Sequence, residues 1–249
     1  MKKRYIRHAS ELVTCKGTAP KHGKEMSDIG LIQDGAVIIH DNKIVAVGTT
    51  EELDKQVDRE YEVIDATGKT VMPGFVDSHT HFIFGGYRAD EFSWRLKGDS
   101  YMSIMERGGG INATVIPTRE ASQEELEEAG EERLNRMLEF GVTTVEGKSG
   151  YGMDCDTELK MLRAMKNLNE KHPIDIVSTF LGPHSVLPEW KGKEREFLDE
   201  QLNHVMPKVK EENLAEFADI FTEKNVFSVE DSEYYMEKAK EMGFKLKIH

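Results

Sequence analysis

Hydrophobic and polar positions alternate in short runs along residues 1–68. The alternation predicts strands at residues 11–14, 35–39 and 43–47, with Asp41-Asn42 as the tight turn between the last two. We therefore expect residues 1–68 to form a small β domain, the N-terminal part of a β sandwich.

From residue 69 the pattern changes to apolar, strand-like runs that alternate with amphipathic helices. Strands are predicted at residues 71–78, 142–147, 174–181, 218–222 and 244–248. This βα alternation indicates a parallel sheet. Residues 69–249 are therefore predicted to be the first five βα units of a (β/α)8 TIM barrel, an α/β fold. Because that barrel needs eight strands and eight helices, we expect the chain to stop mid-barrel.

Four helices are predicted between these strands. The best delimited one begins at Ser122, which has capping-box spacing to Glu125, and ends before Gly141, which can adopt the left-handed conformation. The others lie near residues 156–171, 198–209 and 229–242, and Pro207 should kink or end the middle one of these three.

Composition and charge narrow the classes of function. Of the 249 residues 38% are hydrophobic and 32% are charged, which is ordinary for a globular protein. A net charge of −13 argues against a nucleic-acid partner and against docking on an anionic membrane. No apolar run approaches the roughly 20 residues of a membrane span, and no apolar segment follows the basic start, so a cytoplasmic protein is expected. Cys15 and Cys155 are too few and too far apart for a disulfide framework.

Two histidines mark the C-terminal end of the first predicted barrel strand. His79 and His81 flank Thr80, so in a strand both imidazoles point to the same face and can bind one ion. An HxH pair alone is a weak signal, and structural histidines are the alternative. The preceding segment Pro73–Ser78 and the βα series that follows favour metal ligands.

Further polar residues follow the other predicted strands, namely Tyr151, His184, Glu223 and His249. In parallel barrels the catalytic residues lie at the C-terminal ends of the strands. The positions therefore predict a site assembled from every strand present. Tyr151 and His184 could instead be ordinary loop residues, and His249 a frayed terminus.

Residues 71–81 resemble the first metal motif of the amidohydrolase superfamily, in which a barrel carries an attached β sandwich. Other segments are similar to one branch of it, the ring-opening hydrolases of histidine breakdown: residues 84–88, 108–111, 146–152 and 180–184. The resemblance covers essentially the whole chain, and four matches in order are far more specific than HxH. It implies metal-dependent hydrolysis of a cyclic amide in a small anionic heterocyclic substrate.

Carried over position by position, the resemblance implies a metal site and a substrate pocket. His79, His81 and His249 would be ligands of one zinc or iron ion per subunit. The pocket would be lined by Arg88, Tyr101, Tyr151 and His184, with His184 as the catalytic group that stabilises the developing oxyanion. The general acid/base Glu and the metal-binding Asp of this branch fall beyond His249.

The role of several residues stays open at this level. Arg88 is the candidate to bind the substrate's carboxylate bidentately, together with the segment 148–151, although it could be a surface arginine. Glu223 and Lys224 would admit a second ion if they reached the site. Gly108–Gly110 is either a plain flexible loop or the hinge of a lid.

Two other functions compete with ring opening. A guanine or cytosine deaminase shares the HxH barrel but acts on an exocyclic amine and reads a neutral base, so it would not need Arg88. A non-catalytic metal-binding or scaffolding fragment is the second alternative. Neither nucleic acid nor a membrane is expected as a partner. A homodimer is possible, although no sequence feature specifies one.

Overall fold

The computed structural model describes residues 2–100, 103–104, 107 and 109–249. It divides into two compact units, one that ends at Gly74 and one that begins at Phe75. The sequence pattern instead placed the change after residue 68. The difference arises because Thr70–Val71 pairs with the first strand of the first unit.

The first unit is built on one five-stranded sheet. Its strands are β1 (Lys3–Val13), β2 (Leu31–His40), β3 (Lys43–Thr49), β4 (Glu62–Asp65) and β5 (Thr70–Val71). Their order is β3-β2-β1-β4, with β5 also beside β1; β1, β2 and β3 pair antiparallel, and β4 and β5 run parallel to β1. The predicted turn is confirmed, since Asp41 has a φ of 52° between β2 and β3.

Both faces of this sheet bury apolar side chains. Ala36 and Ile38 of β2 pack with Tyr5 on one side, and Val37 packs with Leu12 on the other. Alternate residues of a strand point to opposite faces, which is how one strand serves both clusters. A short helix, α1 (Thr50–Leu53), follows β3 and begins with a capping box between Thr49 and Glu52.

The second unit contains a five-stranded parallel sheet, as predicted. Its strands are β6 (Phe75–Thr80), β7 (Val142–Lys148), β8 (Asp175–Phe180), β9 (Phe217–Ala218) and β10 (Lys245–Leu246), in the spatial order of the sequence. The last two are shorter than predicted. Backbone hydrogen bonds nevertheless continue beyond them, from Lys247 N to Ala218 O and from His249 N to Ile220 O, so these two segments stay paired to His249.

Helices connect these strands. They are α2 (Ala89–Leu96), α3 (Asn112–Glu120), α4 (Gln123–Glu139), α5 (Cys155–Lys171), α6 (Glu194–Glu200), α7 (Met206–Glu211) and α8 (Val229–Glu241). The capping box of Ser122 and Glu125 starts α4 and Gly141, with a φ of 85°, follows its end, which confirms both predicted signals. Pro207 does not end its helix. A π-helical turn, Gln201–Val205, joins α6 to α7 just before Pro207. This turn accommodates the hydrogen bond that proline, which has no backbone N–H, cannot donate.

The core of the second unit lies between the sheet and these helices. Leu134, Leu162, Val205 and Tyr235 are fully buried there, one each from α4, α5, the π turn and α8. The helices therefore fix the strands, and with them the residues at the strands' C-terminal ends. Among the helices of the described ranges, none is both long and apolar enough to cross a membrane.

Candidate metal centre

His79 and His81 lie at the C-terminal end of β6, and their ring centroids are 5.8 Å apart. The residue between them is turned to the neighbouring strand, because the Thr80 hydroxyl donates a hydrogen bond to the Glu146 carbonyl at 2.5 Å. The alternation of the strand thus brings both imidazoles to one side, as the spacing predicted.

His249 joins this pair from the other edge of the sheet. Its ring centroid lies 4.6 Å from that of His79 and 5.6 Å from that of His81. Its backbone is held on both sides, since His249 N donates to Ile220 O and His249 O accepts from Thr222 N, each at 3.0 Å. The residue is therefore paired in the sheet rather than frayed, and the ligand atoms of the three histidines lie within 4.8 Å of one another.

The chemistry of these three side chains suits a divalent metal. His81 Nδ1 is buried and has no hydrogen-bond partner within the described residues. Burial, and after it the neighbouring imidazoles, lower the pKa of His81 to about 2, so its ring is neutral. Neutral imidazole nitrogens bind zinc and iron. The three residues fit one such ion.

Glu223 and Lys224, which we considered for a second ion, lie elsewhere. Both are exposed, and they line a separate surface pocket of about 520 Å³ with Asn225 and Val226. The Glu223 carboxylate accepts a hydrogen bond from the backbone N–H of Lys224. Neither residue belongs to the histidine cluster, so the described residues favour a single ion.

His184 stacks on the metal-ligand candidate His81, with ring centroids 4.7 Å apart and planes 8° from parallel. Its Nδ1 lies 3.0 Å from the Gly150 carbonyl oxygen. A carbonyl can only accept, so Nδ1 carries the proton and Nε2 of the neutral ring is an acceptor. Burial lowers the pKa of His184 to about 4, although the bond to Gly150 opposes this.

This tautomer changes the role expected for His184. Stabilising an oxyanion requires a donor, and Nε2 donates only when the ring is protonated. Burial disfavours that form, and so would a cation bound by the adjacent histidines. The geometry therefore supports His184 as a hydrogen-bond acceptor for substrate and argues against the predicted oxyanion role.

Tyr151 completes the aromatic wall of the site. Its ring centroid is 5.3 Å from that of His81 and 5.3 Å from that of His184. Burial raises the pKa of its hydroxyl, and the Arg88 guanidinium beside it partly offsets the rise. Arg88 itself is exposed at the start of α2, next to the site. Tyr101, the other predicted pocket residue, lies outside the described residues.

A buried carboxylate holds the loop that carries Tyr151. The Glu158 side chain, in the first turn of α5, accepts hydrogen bonds from the backbone N–H groups of Gly150, Gly152 and Met153 at 2.8 to 3.0 Å. Gly150 has a φ of 108°, and a Cβ there would lie 2.7 Å from the Leu181 carbonyl oxygen. The sequence did not predict a role for Glu158. The sequence feature that could have identified Glu158 is its position four residues before Leu162, which puts a charged side chain on the apolar face of α5.

Lys148 is not free to bind a substrate, contrary to the tail clamp considered from the sequence. It is 2% exposed, and its ammonium lies 3.1 Å from Glu146 and 2.6 Å from Asp219. Lys247 contacts the same oxygen of Glu146, Oε1, at 2.6 Å. Arg88 is therefore the cation of the predicted clamp that remains exposed beside Tyr151.

Comparison with known proteins agrees with this arrangement. A model of an amidohydrolase family matches residues 62–114. The imidazolonepropionase of Parabacteroides distasonis is 54% identical over 98% of this chain, and that of Clostridium tetani is 51% identical over 98%. The chain is thus similar to amidohydrolases over the residues that the family model matches. Its sequence matches the N-terminal portion of imidazolonepropionases, and it spans 59% and 58% of the length of these two relatives.

Solved structures confirm the predicted fold class. Guanine deaminase of E. coli aligns over all of this chain and 52% of its own, with a TM-score of 0.62 and 15% identity. A 5-methylcytosine deaminase from Klebsiella pneumoniae aligns over 98% of this chain and 51% of its own, with a TM-score of 0.61 and 16% identity. At such low identity the likeness shows the fold alone. The parallel sheet is thus the first part of an amidohydrolase-type barrel.

Proposed function

We propose that this protein is an imidazolonepropionase, which hydrolyses the cyclic amide of 4-imidazolone-5-propanoate to N-formimidoyl-L-glutamate in histidine degradation. The observation that carries the proposal is the cluster of His79, His81 and His249 beside Tyr151 and His184 at the C-terminal ends of the strands. The 54% identity to one imidazolonepropionase over 98% of the chain supports it.

His79, His81 and His249 would hold one zinc or iron ion per subunit. When bound, such an ion makes water nucleophilic at neutral pH and polarises a carbonyl. The share of this chain in the reaction is to bind and orient the substrate, because the resemblance puts the general acid/base Glu and a fourth ligand beyond His249. The neutral rings of the site suit this task, since they supply acceptors without repelling a cation.

The substrate is proposed to be a small anionic heterocycle held at two ends. Arg88, exposed and beside the Tyr151 hydroxyl, would bind the propionate carboxylate. His184 Nε2 would accept a hydrogen bond from a ring N–H, since its tautomer is set by the Gly150 carbonyl. A cytoplasmic location, a homodimer and the lack of nucleic-acid or membrane partners stay predictions.

A substrate panel tests this proposal. The purified full-length protein, supplied with zinc or iron(II), is incubated separately with imidazolonepropionate, guanine and cytosine. Consumption of imidazolonepropionate alone, with formation of N-formimidoyl-L-glutamate, is the expected result. Release of ammonia from guanine or cytosine without ring opening of imidazolonepropionate would overturn the proposal in favour of a deaminase. Bound metal without turnover of any of the three would point to a non-catalytic protein.

A further inference from the structure

Four charged side chains, three of them buried, form a chain of ion pairs beneath the histidine cluster. In order they are Lys247, Glu146, Lys148 and Asp219, with successive contacts of 2.6, 3.1 and 2.6 Å. The side chains of Glu146, Lys148 and Asp219 are at most 3% exposed. We call these four residues the ion-pair chain.

Stability alone does not require such a chain. Replacing a buried ion pair by apolar residues of similar volume is often neutral or stabilising, because desolvation offsets the attraction. Here two positive and two negative charges are balanced, which limits that cost but does not explain why charges are present. The far end of the ion-pair chain offers a reason, because it reaches His249.

Asp219 is fixed at both of its carboxylate oxygens. Oδ1 accepts a hydrogen bond from the backbone N–H of Ile220 at 2.9 Å, and Oδ2 accepts one from Lys148 at 2.6 Å. Oδ2 also lies 3.6 Å from His249 Nδ1. That nitrogen is buried and has no closer hydrogen-bond partner among the described residues.

A fixed carboxylate that faces one ring nitrogen determines whether the other nitrogen has a lone pair free to bind a metal. It favours the proton on Nδ1, so that the lone pair stays on Nε2, and it limits rotation of the ring. The other neighbours of His249 in the site are themselves rings, and none of them fixes its tautomer in this way; they are His79, His81, His184 and Phe221.

We propose that Asp219, held in place by Lys148, is a positioning residue that orients His249 for metal binding. The inference rests on the proposed metal centre and deepens it. The ion-pair chain then has a function besides packing, since it carries a buried negative charge to Nδ1 of His249.

The test is the zinc affinity of the full-length protein, measured by competition with a chromophoric chelator. Asp219→Asn keeps the shape and the bond from Ile220 but removes the negative charge, and we expect it to weaken zinc binding about 10- to 100-fold. Because that change removes one of the two carboxylates that contact Lys148, the double variant Lys148→Met with Asp219→Asn is measured as well. It should weaken zinc binding to a similar extent.

Glu216→Gln is the matched control. It breaks the Glu216–Lys245 pair, 2.9 Å long and exposed, between the same two strands at their opposite ends, and it should leave zinc affinity unchanged. If both Asp219 variants melt at lower temperature without metal but bind zinc as tightly as the parent, Asp219 is structural only and the inference is wrong. A parent protein that binds no zinc or iron would instead remove the metal centre itself.

Discussion

The proton on His184 Nδ1 is the single-residue feature with the clearest consequence. Because the Gly150 carbonyl accepts from Nδ1, the opposite nitrogen of the neutral ring is an acceptor. A spacing of residues in a sequence cannot show this, since it depends on which backbone group the folded loop places beside the ring. The sequence located His184 at the site, but the oxyanion role predicted for it would require a proton on Nε2.

Replacing His184 by Phe tests that role. The variant keeps a ring against His81 but loses the Nε2 acceptor, so we expect kcat/KM for imidazolonepropionate to fall about three- to tenfold, the value of one neutral hydrogen bond. Metal content should not change. The control is His204→Phe at an exposed position. Loss of metal from His184→Phe would show that His184 is a ligand.

Arg88 is predicted to act on substrate binding. Arg88→Ala should lower kcat/KM by about ten- to hundredfold, the value of a hydrogen bond to a charged group, mainly through KM. Arg88→Lys should recover part of the loss, because it restores the charge without the bidentate geometry. Steady-state kinetics of both variants decide the matter, and unchanged constants would assign Arg88 to the surface.

The shape of the loop from Ser149 to Met153 depends on a single side chain, Glu158. Glu158→Gln replaces an acceptor for three backbone N–H groups by an amide that can satisfy fewer of them. We expect a loss of about 1 to 3 kcal/mol in the free energy of unfolding, together with a higher KM, because Tyr151 and the Gly150 carbonyl are displaced.

Glu170→Gln serves as the control, since Glu170 is exposed on the same helix. Urea denaturation and steady-state kinetics are measured on both variants. If Glu158→Gln were as stable and as active as Glu170→Gln, the buried carboxylate would not be what holds the loop.

The elements that the sequence predicted well are those with local signals. The cap at Ser122, the stop at Gly141 and the parallel βα order all follow from short-range chemistry. Strand β4 was missed because all four of its residues are exposed, so they show no alternation. Asp219 was missed for a different reason. Its partners Lys148 and His249 come from other strands, and only the folded sheet brings them together.

For the whole protein, lowering the pH should reveal how much the ion-pair chain contributes to the free energy of unfolding. Burial raises the pKa of Glu146, but the hydrogen bonds that it accepts from Lys247, Thr179 and Lys148 lower the pKa by more. The net pKa is therefore below the usual 4.5. A carboxyl whose pKa is depressed on folding contributes stability above its unfolded pKa, and this is lost as the pH falls through the folded value.

Glu146→Gln should therefore destabilise the protein at pH 7 and matter progressively less below about pH 4.5. Urea denaturation of the parent and the variant across this range measures the difference in the free energy of unfolding. Glu139→Gln, at an exposed position, is the control. A difference that stayed constant with pH would mean that Glu146 is not the charged partner of Lys148 and Lys247.

We propose that ring opening requires one metal ion, held by His79, His81 and His249. The most direct measurement titrates zinc or iron(II) into the metal-stripped full-length protein and follows hydrolysis of imidazolonepropionate. We predict that activity is absent without metal and rises to a plateau at one equivalent per subunit. The His81→Ala variant should neither bind the metal nor become active when metal is added. Full activity in the stripped protein, a plateau at two equivalents, or an active His81→Ala variant would contradict the account.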